Sequence, residues 1–112
     1  MSTVAFAHTD FSAGREVTFL DGSTRLVASL GPTWVGRGVY RPGWRWSLHA
    51  GPMTGSASQP HAGYVVSGTM IVSSSDGEEA VVSAGEAWYS GPEHDAWVAG
   101  DEACVALDFP VA

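Results

Sequence analysis

Apolar residues in this chain recur in short alternating runs, and turn residues interrupt each run before a helical period can build. Glu16 to Leu20 alternates and runs into Asp21-Gly22, a hairpin dipeptide. Thr24 to Leu30 follows, then Trp34-Val35, Gly38 to Tyr40 and the turn Arg41-Pro42-Gly43. Trp44 to Ala50 reads as a strand and Gly51 to Pro60 as a loop. Tyr64 to Ser73 reads as a strand bent at Gly68, and Asp76-Gly77 marks a second hairpin. Glu79–Ser83, Ala87–Ser90, Asp95–Ala99 and Ala103–Phe109 complete the set. No segment carries a capped helical pattern, so the expectation is an all-β sandwich or barrel.

With 112 residues and no internal repeat or linker, the chain is read as one domain, residues 15–112, preceded by an N-terminal arm, residues 1–14. Such a length buries a core without disulfides or a structural metal. The single cysteine, Cys104, lies in an alternating strand and reads as a small buried hydrophobe. Net charge is -7 and the chain has no lysine, which sets aside nucleic acid and an anionic membrane surface as partners. There is no apolar run of membrane-spanning length and no signal-peptide pattern at the N-terminus, and the expected compartment is the cytoplasm.

The chemistry-bearing residues cluster between Gly43 and Gly68, in GWRWSLHAGPMTGSASQPHAGYVVSG. His49 and His61 flank the Gly/Ser/Pro loop, Gln59 precedes His61 by two residues, and His94 lies in SGPEHDAW. On strands, residues two apart share a face. That groups Arg45, Ser47 and His49 on one face and Trp44 and Trp46 on the other. If His49 points inward, the tryptophan pair forms an outer apolar patch that a second copy covers, which leads to the expectation of a homodimer; the alternative puts the tryptophan pair inside and His49 outside. The sequence holds no phosphate-binding Gly-rich loop, no Gly-x-Ser-x-Gly elbow and no Cys-x-x-Cys pair.

Residues 43–68 resemble the first signature of the cupin superfamily: Gly, five residues, His-x-His, three or four residues, Glu, six residues, Gly. Gly43 is followed by five residues and His49, and His61 stands six residues before Gly68, at the glutamate position. Gly51 stands where the second histidine belongs, and the intervening segment is longer by about five residues. The second signature, Gly, five residues, Pro-x-Gly, two residues, His, three residues, Asn, is matched at Gly85 and then departs. Gly91, Glu93, Ala96 and Gly100 replace its proline, glycine, histidine and asparagine, while His94 lies two residues before the histidine position.

The resemblance, over roughly residues 36–109, implies a small single-domain cupin jelly-roll β-barrel with a site inside it. It implies a divalent transition metal (Zn, Fe, Mn or Ni) held by His49, His61 and His94, with Gln59 as a further donor. His61, Arg45 and Tyr64 are the candidate catalytic residues, Tyr64 being inward only if the strand bulges near Gly63. Asp95 is a candidate to orient a histidine. The expected function is a metal-dependent cupin enzyme acting on a small organic, aromatic or polyketide-like substrate as a cyclase, isomerase, lyase or dioxygenase. The alternative is a metal-free, non-catalytic cupin that binds a small apolar ligand.

Overall fold

The computed structural model describes residues 5–111, and Met1 to Val4 of the expected arm lie outside the described residues. Among the described residues nine strands form two antiparallel sheets. β1 (Arg15–Thr18), β2 (Thr24–Leu30), β3 (Thr33–Tyr40), β4 (His61–Ser67), β7 (Ala87–Ser90) and β9 (Cys104–Phe109) make a six-stranded sheet in the order β1-β2-β3-β9-β4-β7. β5 (Thr69–Ser73), β6 (Glu79–Ser83) and β8 (Asp95–Val98) make the second sheet, in the order β6-β5-β8. The all-β expectation holds. Both Asp-Gly pairs turn where expected, with Gly22 at φ 91° and Gly77 at φ 92°. Gly68, at φ 78°, carries the chain from β4 in one sheet to β5 in the other. A Cβ there would stand 2.4 Å from the Ala103 carbonyl oxygen, so the crossing requires glycine.

The two sheets face one another across a core to which both contribute. Val65, Cys104 and Ala106 enter from the large sheet, and Met70, Val72, Val82 and Val98 from the small one. Val65 and Cys104 have no exposed surface. Complete burial of a valine side chain is worth about 1.5–3 kcal/mol. Burial also pushes the Cys104 thiol up to about 11, so it stays protonated and inert at neutral pH. Residues 5–10 are exposed, including His8, and Asp10 caps a single 3-10 turn, Phe11–Ala13, through the Ser12 amide at 2.9 Å. No helix among the described residues is long and apolar enough to cross a membrane.

One expected strand does not form. From Trp46 to Ala50 the chain winds into a π-helical turn and continues into a short helix, α1 (Gly51–Thr54). Only Arg45 keeps a β contact, a bridge to Trp97 of β8. The reason is local hydrogen bonding. Asp95 accepts from the Ser47 amide at 3.0 Å and the Ser47 hydroxyl at 2.8 Å, and pairs with Arg45 at 2.8 Å. The His49 ring accepts the Arg45 amide at 2.9 Å, closing the turn from within. Alternation therefore fails here, and of the two face assignments the one with His49 inward is overturned. Trp44 is buried and Trp46 half-buried, both turned toward the interior, while Arg45 and Ser47 lie outside. The expected outer tryptophan patch does not exist, and the argument it supplied for a dimer goes with it.

Candidate functional site

A cavity of about 400 Å³ opens between the sheets, within the range of small-molecule sites. Its floor is the inner face of the large sheet, where glycines sit beside bulky side chains. Gly63 pairs with Trp88 on one side and Asp108 on the other, and Gly36 pairs with Asp108 from β3. A Cβ at Gly63 would lie 2.3 Å from the Trp88 ring, and one at Gly36 would lie 2.1 Å from the Asp108 carboxylate. The missing side chains let an indole and an ion pair lie across the sheet. The π-helical turn contributes Trp46 and Ala50 to the wall, and the loop after α1 contributes Ser58 and Gln59.

Two histidines meet at this cavity. His61 begins β4, and His94 stands at the end of the turn before β8. Their ring centroids are 4.8 Å apart, and the Trp88 indole meets the His61 ring edge-on at 5.9 Å. Each ring is oriented by a backbone carbonyl: His94 Nδ1 lies 2.7 Å from the Gly91 oxygen and His61 Nδ1 lies 3.3 Å from the Gln59 oxygen. A carbonyl only accepts, so Nδ1 is the donor in each ring, and in the neutral tautomer this contact selects, Nε2 keeps its lone pair. Ser58 adds a hydroxyl that donates to the His94 carbonyl at 2.6 Å and stands 3.3 Å from its Nδ1.

The His94 turn is itself unusual. Glu93 adopts φ 61°, the left-handed conformation, at the place where the cupin signature has glycine. Its amide donates to the Ser58 carbonyl at 3.0 Å, which ties the loop to the turn. His94 is 5% exposed. Desolvation holds its imidazolium pKa below the ordinary value; the Gly91 carbonyl raises it and the neighbouring His61 lowers it further. His94 is therefore a neutral base at pH 7.

Of the other expected site residues, Gln59 reaches the cavity and His49, Arg45 and Tyr64 lie elsewhere. His49 does not line the cavity, and its Nδ1 is committed to the Arg45 amide. Arg45 is paired with Asp95 and lies 4.3 Å over the Trp97 ring, outside the cavity. Asp95 thus holds Arg45 and Ser47 rather than a histidine. Tyr64 is 40% exposed on the outer face of β4, and the irregularity in that strand falls between Val65 and Ser67, too late to turn it inward. Gln59 lines the mouth, with its amide nitrogen 3.3 Å from the Ala57 carbonyl.

A catalytic metal needs about three protein donors around one point. Here two imidazoles meet and His49 is turned away. Among the described residues no three His, Cys, Asp or Glu side chains group as metal donors. The residues present do not fit the three-histidine centre that the signature implies.

The structure adds a polar group that the sequence reading passed over. Arg25 of β2 and Asp108 of β9 form a two-bond ion pair inside the cavity, Nε to Oδ1 at 3.1 Å and Nη2 to Oδ2 at 2.6 Å. Their side chains are 22% and 15% exposed. Tyr40 stands beside them, its ring 4.4 Å from that of Trp44. Alternation offered a signal for Asp108, which shares a strand face with buried Cys104 and Ala106.

No protein-family model matches the chain, and no curated protein matches it in sequence. Solved structures do match in fold. A protein of unknown function from Vibrio parahaemolyticus superimposes with a TM-score of 0.66 at 19% identity, over 87% of this chain and 97% of that one. KdgF from Halomonas sp. gives 0.63 at 20% identity over 98% and 96%. Oxalate decarboxylase from Lactobacillus farciminis, solved as a formate complex, gives 0.68 at 15% identity, covering 97% of this chain and 33% of the enzyme. KdgF and oxalate decarboxylase have the cupin fold, and by this likeness the chain has a cupin-like fold.

Proposed function

We propose that the chain is a small cupin enzyme that moves protons on a flat, mostly apolar organic substrate, with His94 as general base and His61 as its partner. The observation that carries this reading is the imidazole pair at the cavity, 4.8 Å apart with both Nδ1 atoms tied to backbone carbonyls. Fixed tautomers leave two Nε2 lone pairs, and the depressed pKa of His94 keeps its own free at neutral pH. The aromatic walls, Trp44, Trp46 and Trp88 among them, suit a planar ligand and exclude water from it.

The step proposed is enolisation. His94 Nε2 takes a proton from a carbon next to a carbonyl. The C–H electron pair becomes a C=C bond, and the carbonyl electrons move to oxygen. Return of a proton to the same or a conjugated carbon completes an exchange or an isomerisation, with no redox change. A positioned base contributes roughly 10²–10⁴-fold.

The test is deuterium incorporation into the methyl group of 2-acetylnaphthalene in D2O, followed by NMR. The wild type accelerates incorporation at least about a hundredfold over buffer, and His94→Gln abolishes the gain. A second reading, a non-catalytic cupin binding a small apolar ligand, draws on the same aromatic walls. Binding of the ketone with no acceleration would replace the first reading by the second. One equivalent of zinc bound by the wild type and lost in His61→Gln would overturn the metal-free mechanism.

A further inference from the structure

The histidine pair is one polar feature of the cavity, and β2, β3 and β9 bring a second to the same lining. Tyr40 lies folded back over Gly38: a Cβ at Gly38 would stand 2.2 Å from its ring and 2.3 Å from its hydroxyl oxygen. Glycine at that position is what allows the phenol to lie there. Gly38 pairs with Arg25 in the sheet, so the hydroxyl is held beside the Arg25–Asp108 pair. The ring is wedged between Trp44 at 4.4 Å and Phe19 at 6.0 Å, and its edge lines the cavity.

What this second feature offers a ligand follows from its hydrogen bonds. Both Asp108 oxygens are engaged by Arg25. Among the described residues the Tyr40 hydroxyl has no hydrogen-bond partner, and neither has the remaining Arg25 nitrogen, Nη1. Unengaged donors therefore stand here, while each Asp108 oxygen already accepts a bond from Arg25. Burial pushes the Tyr40 phenol well above its ordinary pKa, with Asp108 pushing the same way and Arg25 opposing, so the hydroxyl keeps its proton at every physiological pH. A hydroxyl that lines the cavity without a protein partner is open to an acceptor on a ligand.

We propose that the Tyr40 hydroxyl is the oxygen-binding donor of this cavity, and that its ligands are flat aromatic carbonyl compounds whose oxygen faces Tyr40 while the carbon framework lies against Trp44 and Trp88. This deepens the proton-transfer reading and rests on it for the identity of the reacting end. A carbonyl oxygen hydrogen-bonded at Tyr40 acidifies the neighbouring C–H, and the electron density that reaches oxygen in the proposed step meets a donor already in place.

The experiment compares two nearly isosteric probes, 2-acetylnaphthalene and 2-ethylnaphthalene, by quenching of tryptophan fluorescence. The wild type binds the ketone about tenfold more tightly than the hydrocarbon, the equivalent of about 1.4 kcal/mol. Tyr40→Phe brings the two affinities together by weakening the ketone alone. In the wild-type complex the infrared carbonyl stretch of bound ketone moves to lower frequency, a readout that needs no variant. Tyr40→Phe removes a hydroxyl that holds no other group, so the fold survives it. Equal affinities in the wild type, or a ketone preference that persists in Tyr40→Phe, would overturn the proposal. Ketone preference without deuterium incorporation would sink the enolisation reading and leave this one standing; incorporation without ketone preference would do the reverse.

Discussion

Removing the Asp95 carboxylate tests the account of the Trp46–Ala50 turn. Asp95 accepts the Ser47 amide at 3.0 Å, the Ser47 hydroxyl at 2.8 Å and Arg45 Nε at 2.8 Å, and it caps its own strand through the Ala96 amide at 2.9 Å. The Arg45 side chain is 42% exposed, so the ion pair is screened and contributes about 0.5–1 kcal/mol. The two bonds from exposed Ser47 add about 0.5 kcal/mol each, at the low end for hydrogen bonds. Asp95→Ala is therefore expected to cost about 1.5–2 kcal/mol. At roughly 4 °C per kcal/mol for a domain of this size, Tm falls by about 6–8 °C.

The pH dependence is set by the same contacts. Burial on its own raises the Asp95 carboxyl pKa, and the bonds from Ser47 and Arg45 outweigh it, so the folded value lies below the unfolded one of about 3.9. The contribution of Asp95 is complete above that pH and is lost as pH falls through the folded value. The stability difference between wild type and Asp95→Ala is thus flat from pH 8 to pH 5 and shrinks below pH 4. Urea unfolding across that range checks both points. A cost below about 0.5 kcal/mol, or a gap that widens in acid, would refute the view that Asp95 bends this segment out of the sheet.

For His94, whose folded pKa is depressed, the unfolded chain binds more protons as pH falls below about 6.5. Wild-type stability is unaffected by this group above that value and declines on acidification toward pH 5.5, and His94→Gln removes its share of the slope in urea melts. Gly63→Ala drives a methyl group against the Trp88 indole, 2.3 Å away, at a cost of about 1–3 kcal/mol, and a shift of the tryptophan emission spectrum accompanies it. Asp108→Asn leaves Arg25 in a largely buried place without its counter-charge. It destabilises by about 2–4 kcal/mol, short of the full effect of breaking a wholly buried pair, as read from denaturant midpoints. Glu93→Gly relieves a left-handed non-glycine residue and raises stability by about 0.5 kcal/mol after the added unfolded-state freedom is subtracted, measured as Tm.

Most of the architecture was legible because strands announce themselves at short range. Alternation placed β2, β6 and β9 nearly to the residue, and Asp-Gly pairs placed two hairpins, since a left-handed turn tolerates few other residues. The segment after Gly43 was not legible. Trp44 to His49 alternates well enough to be a strand, and what bends it is Asp95, distant in sequence and met only in the folded chain. That one error moved His49 and Arg45 out of the site and both tryptophans into it. Arg25 and Tyr40 went unread for a related reason: the space they occupy is created by glycines of β3, Gly36 against the Arg25 side chain from the neighbouring strand and Gly38 two residues before Tyr40. Cross-strand vacancies of this kind depend on register, which local pattern does not carry.

The central claim, a neutral His94 poised as a base, is tested most directly by long-range 1H–15N NMR of the histidine rings at pH 7. The account predicts a neutral His94 with hydrogen on Nδ1 and an acceptor-type Nε2 resonance, perturbed when 2-acetylnaphthalene binds. A protonated ring would contradict the base assignment, and a neutral ring with its hydrogen on Nε2 would also remove the His94–Gly91 hydrogen bond on which it rests.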